Sequence, residues 1–500
     1  MRSRLASFAL LLLTAVSHVV GAQGQPPARG GSTVPRWSPD PESLLLPQPL
    51  PATVKDGFRL VTLGDLLYWR PVRAQIDSGM DAALRIVRDA DFATANLEGT
   101  FFDIRTNHIP PHENGILMPG SPDLGEDIKN LGVRLVSKAN NHTVDWGVEG
   151  MNATRRLLEA AHLPYAGVGD NRQAARMATF VDLPKGRVGV VSAASSHQEG
   201  AIPLDADADV AARPGMSVLR TTSVHTVTAK EMAVLRRMDS VRNAAGLTIA
   251  GNAGGRGGGR GGASDAKELT LLGQTYRLGE RSGWTWSMNK LDEFEILREV
   301  RSAKTLSDLV IFTIHAHEGP DAPGEGDGPY PADFLPVLFH NVIDAGADVV
   351  AGHGSHALRG IEIYKGRPIF YGLSTFIFQG YIYATQDSRD AQSVDQRYTS
   401  RGEMEVRLNG SAPAGAVDTT GLLGSWNVTI LPQMTFEGGR VKEIRIYPID
   451  VRRNAGSKQS GLPRTAPPEL GHKILTLVKD LSKQFGTNVQ IEGNVGVIRP

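Results

Sequence analysis

Cysteine is absent from the 500 residues of the chain. That excludes disulfides, lipid attachment at cysteine, thiolate metal ligands and cysteine nucleophiles. Any metal site must draw on His, Asp, Glu and Asn, a donor set suited to Zn, Mn, Fe or Mg rather than to an iron–sulfur cluster. A charge excess is also absent: Lys+Arg and Asp+Glu each total 53. Balanced charge gives no electrostatic reason to expect nucleic acid as a partner. Long apolar runs are missing too. Residues 5–16 are apolar behind Arg2 and Arg4, but too short to span a bilayer comfortably. With the small residues Val20-Gly21-Ala22 behind it, this run reads as a secretory signal peptide over residues 1–22. The expected location is then periplasmic or extracellular, or membrane-anchored if the signal is retained.

No solenoid-type repeat is present. The Gly-rich tract at 251–265 lacks the Lys-Ser/Thr of a phosphate-binding loop and reads as a flexible surface insertion.

What is present is an ordinary globular composition, 41% apolar and 21% charged, with enough chain for a sizeable core. Residues 23–57 are rich in Pro, Gly and Ser and read as a linker or an irregular arm. The main domain is expected over 58–450, with a C-terminal helix and β extension over 451–500. Within it, FRLVTLGD, DFATANLE, VRLVSKANNH, RVGVVSAASS, DLVIFTIHAH and ADVVAGHGSH read as strands. MDAALRIVRDA, VEGMNATRRLLEAAH and FLPVLFHNVIDAG read as helices. The alternation predicts a layered α/β fold with much parallel sheet. GIEIYKGRPIFYGL and WNVTILPQMTFEGGRVKEIRIYPI read as β-hairpins. Trp284 and Trp286 are expected to be packing residues rather than a stacking site.

Ligands in open α/β sheets bind outside the carboxyl ends of the strands. Here those ends carry Asp65, Glu98, Asn140-Asn141-His142, His315 with His317, and His353 with His356. Singly, each is weak: Gly64-Asp65 is compatible with a turn, and Asn140-Asn141-His142 with a cap. Together they would cost several kcal/mol to bury unpaired. A dinuclear metal centre satisfies them jointly. Two ions roughly 3.5–4 Å apart polarise a phosphoryl or acyl oxygen and bring the pKa of a water near neutrality. Glu98 is the bridging candidate, and His142 the candidate proton donor.

The blocks LGD (63–65), NLE (96–98), NNHTVDWGVEG (140–150), LPYAGVG (163–169), IHAHEG (314–319), DAGADVVAGHGSHALRGIEIY (344–364) and GRPIFYGLSTFIF (366–378) carry a resemblance. Over residues 58–449 the chain resembles the CapA family of poly-γ-glutamate capsule synthesis proteins. That family is similar to the calcineurin-like metallophosphoesterases, which implies a four-layer α/β/β/α sandwich. The resemblance implies Asp65, Glu98, Asn141, His315, His353 and His356 as metal ligands, His142 as the catalytic histidine, and one or two divalent ions. It also departs from the pattern. The phosphoesterase Asp-x-His is here Asp65-Leu66-Leu67, and the family's His-Trp-Gly is His315-Ala316-His317, which leaves His317 open as an alternative ligand. Its Ser-Leu-Gly-Asn-Phe is Gly372-Leu373-Ser374-Thr375-Phe376, and two residues rather than one separate His353 from His356. The function expected is a metal-dependent hydrolase acting on a small phosphoester or on an anionic polymer such as poly-γ-glutamate, with membrane polymer-synthase subunits as partners. The alternative is a non-catalytic accessory protein of polymer export.

Overall fold

Strand Phe58–Leu67 is almost wholly buried, and its neighbours explain why. It runs parallel to Phe92–Leu97 on one side. On the other it pairs antiparallel with Val428–Glu437 at its start and parallel with Thr375–Phe378 at its end. It sits inside a ten-stranded sheet, which continues through Leu135–Ser137 to Tyr165–Ala166 in one direction. In the other it continues through Arg440–Asp450 and Val495–Ile498 to Gln490–Glu492. A second, six-stranded sheet has the order Ile361–Tyr364, Arg367–Phe370, Val349–His353, Leu309–His315, Gly186–Ala194, Thr179–Leu183. Its inner strands are parallel and covered on both faces, so they read as unbroken apolar runs instead of alternating ones.

These relations come from a computed structural model that describes residues 39–67, 69–103, 105, 107, 109, 119–244, 267–272, 274–320, 328–379, 426–451 and 461–500. The expected signal peptide at 1–22 and the Gly-rich tract at 251–265 lie outside the described residues. No helix among the described residues is long and apolar enough to cross a membrane.

Alternate side chains point to opposite faces of a strand, and the core divides accordingly. Phe58, Leu60, Phe92 and Leu135 of the large sheet share one cluster with Val188, Val190, Ile311 and Val349 of the six-stranded sheet. Val61, Leu63 and Ala93 face the other way. They pack on Met80, Ala83, Leu84 and Val87 of helix Ser78–Arg88, and on Ile128 of helix Leu124–Leu131. Val310, Phe312 and Val350 pack on helices Lys290–Leu306 and Phe334–Ala345. Each buried Val, Leu, Ile, Phe or Met side chain among these contributes ~1.5–3 kcal/mol of burial, so the two sheets and their helices hold the strand ends in fixed positions.

Both expected hairpins form, as Ile361–Tyr364 with Arg367–Phe370 and Val428–Glu437 with Arg440–Asp450. Helix Pro468–Ser482 places Ile474, Leu475 and Val478 in the inter-sheet cluster. Three details differ from the sequence reading. First, the opening strand does not end at Asp65. It continues to Leu67 because strand Thr375–Phe378 pairs with it there, across a register shift between Asp65 and Leu66. Gly64 permits this, since a Cβ at that position would run into the Ser374 carbonyl oxygen. Second, the part of the 23–57 linker that is described does not behave as a free tether. Ala52 and Val54 enter the inter-sheet core, and Leu44 and Leu45 pack on the helix side of the six-stranded sheet. Third, residues 221–288 include a small sheet that the sequence reading did not place, ordered Glu268–Leu271, Gln274–Leu278, Thr221–Val227, Gly283–Met288. In it Trp284 stacks on His225 at 4.6 Å and Trp286 packs near Phe334, so both tryptophans serve packing.

Candidate metal centre

Strand register assembles the centre. Asp65 is the direct neighbour of Asn96 in the large sheet. Glu98 lies two residues beyond Asn96, and its N–H donates to the Leu66 carbonyl at 3.2 Å. In the six-stranded sheet His315 is the direct neighbour of His353. All of these stand near or just beyond the carboxyl ends of parallel strands, the usual place for a ligand crevice. The turn after His353 completes the set. Gly354, at φ +89°, donates its N–H to Asp65 Oδ2 at 3.1 Å. A Cβ at Gly354 would press on the His315 ring at 3.0 Å. His356 adopts φ +47°, a region that residues other than glycine rarely occupy and one often found at functional sites.

The side chains converge across the two sheets. Asp65 Oδ1 accepts from Asn96 Nδ2 at 2.8 Å and lies 3.5 Å from His353 Nδ1. Asp65 Oδ2 lies 3.4 Å from His356 Nδ1, which also stands 3.2 Å from the Thr375 hydroxyl. Glu98 Oε1 is approached by three imidazole Nε2 atoms, those of His356, His142 and His315, at 3.6, 3.7 and 3.8 Å. His315 Nε2 and His317 Nε2 face each other at 3.1 Å. The same Asn96 amide stands 3.1 Å from His315 Nδ1.

These spacings test whether a cation fits. The imidazole–carboxylate separations of 3.6–3.8 Å at Glu98 are too long for hydrogen bonds. Two donors each about 2.1 Å from one ion stand roughly 3–4 Å apart. Two groups have one ligand atom per residue with all atoms within 4.8 Å of one another: Asp65, Glu98 and His356, and Glu98, His315 and His317. The donors are N and O only. Asn141 Oδ1 and His353 Nδ1 are buried with no hydrogen-bond partner among the described residues. The residues present therefore fit a divalent ion.

Electrostatics agree. Burial holds His315 and His317 well below the ordinary histidine range, and neighbouring histidines add to the effect. Burial lowers His353 as well, against the pull of Asp65. All three are then neutral near pH 7, as metal ligands must be. Burial raises Asp65, opposed chiefly by His353 and by its hydrogen bonds from Asn96 and Gly354. A bound cation would reverse that, because its own charge dominates the local field.

His142 sits at the rim. Its side chain is 12% exposed, whereas that of Glu98 is fully buried. Its Nδ1 lies 2.8 Å from Asp145 Oδ2, and Asp145 Oδ1 accepts from Gln198 Nε2 at 3.1 Å. Asn141 lies beside it, with Nδ2 3.4 Å from His142 Nε2. All the residues singled out from the sequence thus occupy one place: Asp65, Glu98, His315, His317, His353 and His356 buried, Asn141 and His142 half-buried at the edge.

Several further residues support the centre. Asn140 does not cap the following helix. Its Nδ2 donates to Asn96 Oδ1 at 3.1 Å and to the Leu97 carbonyl at 2.8 Å, and its Oδ1 accepts from the His142 N–H. Strand Gly186–Ala194 also ends at the centre. The Ser195 and Ser196 hydroxyls donate to Glu318, and Ser196 Oγ accepts from the His317 N–H at 2.8 Å. The run Ser-Ser-His-Gln at that strand end was the available signal. Lys138 is fully buried, with its ammonium lacking a hydrogen-bond partner among the described residues. Burial pushes it down to about 8, and Asp145 and Glu98 oppose the shift.

The fold and centre together define a mixed α/β protein with a buried histidine–carboxylate cluster able to hold metal. Comparison narrows this. Residues 59–380 match the family described as Bacterial capsule synthesis protein PGA_cap, and the chain belongs to that family. It is 35% identical to Uncharacterized protein y4sH of Sinorhizobium fredii over 89% of this chain and 94% of that one. It is 20% identical to the Capsule biosynthesis protein CapA of Bacillus anthracis, over 67% of this chain and 62% of that one. A Probable polyglutamine synthesis accessory protein of Mycobacterium tuberculosis is 24% identical over 50% of this chain and 47% of its own length.

Proposed function

We propose that the protein is an exported, divalent-metal-dependent hydrolase acting on a phosphoester or on the backbone of an anionic polymer such as poly-γ-glutamate. The observation that carries the reading is the His142–Asp145 pair at 2.8 Å beside the buried cluster. A metal held only for structure needs no oriented imidazole at its reachable edge. Asp65, Glu98, His353, His356, His315 and Asn141 would hold the ion. Bound there, it supplies Lewis-acid polarisation of the substrate oxygen and lowers the pKa of a nucleophilic water. The chain's own groups do the rest. Asp145 accepts from His142 Nδ1–H, which fixes the ring and turns Nε2 toward the crevice. From there Nε2 delivers a proton to the leaving group. Gln198 holds the far oxygen of Asp145, so the carboxylate cannot swing away.

We also read the two face-packed sheets and their outer helices as the four-layer α/β/β/α sandwich of the metallophosphoesterases. Export rests on the pattern of residues 1–22. The test is a screen of the purified full chain on phosphoesters and γ-glutamyl amides, with metal analysis and with His142→Ala as control. Metal-dependent turnover lost in His142→Ala supports the proposal. A metal-loaded protein with no turnover on either bond class overturns it. The second reading, a non-catalytic accessory protein, is favoured by the missing donor at Leu67 and by the name of the mycobacterial relative. It predicts that His142→Ala still supports polymer export in cells.

A further inference from the structure

We propose that His317 is a metal ligand in its own right, completing with His315 and Glu98 a second cation position that Leu67 leaves short of a donor. The proposal rests on the reading that the cluster binds divalent metal. It turns the choice between His315 and His317 into a joint role.

A histidine two residues after Asp65 would come from the large sheet. This chain has Leu67 there, fully buried and without a donor atom. His317 brings an imidazole from the opposite sheet instead. Its place is fixed at both ends of the residue. The N–H donates to Ser196 Oγ at 2.8 Å, and the carbonyl accepts from Arg359 Nη2 at 3.4 Å. The ring stands edge-on between His315 and His356, with centroids 4.9 and 5.0 Å away. Its Nε2 therefore belongs to the group with Glu98 and His315, while Glu98 also belongs to the group with Asp65 and His356. One carboxylate common to two ligand groups is the arrangement that a bridged pair of ions uses.

A plain hydrogen bond between the two imidazoles accounts for their 3.1 Å separation. It does not account for His315 Nε2 also facing the Glu98 carboxylate at 3.8 Å, beyond hydrogen-bond reach. For His315 to ligate through Nε2, its ring proton must sit on Nδ1, beside the Asn96 side chain 3.1 Å away. Two imidazoles and a carboxylate favour zinc, iron or manganese over magnesium, which prefers an all-oxygen shell.

The test uses the full chain stripped of metal and titrated with Co2+, and it exploits the lack of native cysteine. His317→Cys loaded with Co2+ is expected to show a thiolate-to-metal charge-transfer band, which can arise only from position 317. His317→Ala is expected to bind one ion fewer than wild type, or the second ion at least ~10-fold more weakly. Near-wild-type circular dichroism of the metal-free variants establishes that they fold. A His317→Cys protein that binds as much Co2+ as wild type without the band overturns the proposal, even if His317→Ala is unstable. So does a His317→Ala protein with unchanged stoichiometry and affinity. Wild type that binds no Co2+, Zn2+ or Mn2+ sinks the metal reading itself, which is a different result.

Discussion

His142 Nδ1 stands 2.8 Å from Asp145 Oδ2, three residues on in the same loop, so ring and orienter come from one short piece of chain. On the proposed function, the pairing separates proton delivery from metal holding. His142→Ala should keep its metal and lose turnover by ~10²–10⁴-fold. Asp145→Asn should also keep its metal and lose ~10²-fold or more, because an amide can leave the ring in the wrong tautomer. Asn141→Ala and His353→Ala should lose metal and turnover together. Metal stoichiometry measured beside steady-state rates decides. If His142→Ala is as metal-poor as His353→Ala, His142 is a ligand and the division is wrong.

Lys138 gives a prediction of opposite sign. A buried ammonium beside Asp145 and Glu98 opposes cation binding. Lys138→Met removes that charge at similar volume. Divalent-ion affinity should rise, and the metal-free protein should melt no lower, since a buried unpaired charge is costly. Calorimetric titration and thermal melts report both. Weaker ion binding in Lys138→Met would show that the ammonium supports the cluster instead.

Gly64→Ala tests how the centre is framed. The added methyl meets the Ser374 carbonyl, the group that accepts the Asp65 N–H at 3.0 Å. Strand Thr375–Phe378 must shift, and Thr375 moves away from His356. We expect a loss of ~1–3 kcal/mol in stability, as for overpacking elsewhere, together with weaker metal binding. A variant with unchanged melting temperature and metal content would mean that this approach is not constraining.

His197 sets an acid limit of its own. Burial lowers its pKa below the ordinary 6.5, with the Gln198 carbonyl and Asp292 opposing. Below pH 6.5 the unfolded chain therefore binds a proton that the folded chain resists. Stability present above pH 6.5 is lost as pH falls toward the folded-state value. His197→Gln should flatten the fall in melting temperature between about pH 6.5 and 5. An unchanged slope assigns the acid sensitivity to other groups.

Much of this was legible in the sequence because parallel strands covered on both faces leave unbroken apolar runs. DLVIFTIHAH and ADVVAGHGSH could be read with their terminal histidines in place. What stayed hidden depended on partners distant in sequence. The first strand outruns Asp65 only because residues some three hundred positions later pair with it. Asn96 carries no local signal in Asn-Leu-Glu, since its partners Asp65 and His315 lie on different strands. The sheet of residues 221–288 escaped because its strands are threonine-rich and half exposed, so neither period was strong. Ala52 and Val54 hid among prolines, where two small apolar residues do not announce a core contact.

The donors of the centre arrive from Asp65 to His356, on strands of two sheets packed together through the inter-sheet core. No local segment holds enough of them to capture an ion early. An ion would therefore be taken up as the closing event of folding, after both sheets have found register, since a one-residue slip in either would turn its donors to the far face. Once seated, an ion ties the sheets together at one end, like a rivet through two plates. Its arrival should slow hydrogen exchange in Leu309–His315 and Phe58–Leu67 together, although the two strands share no backbone pairing.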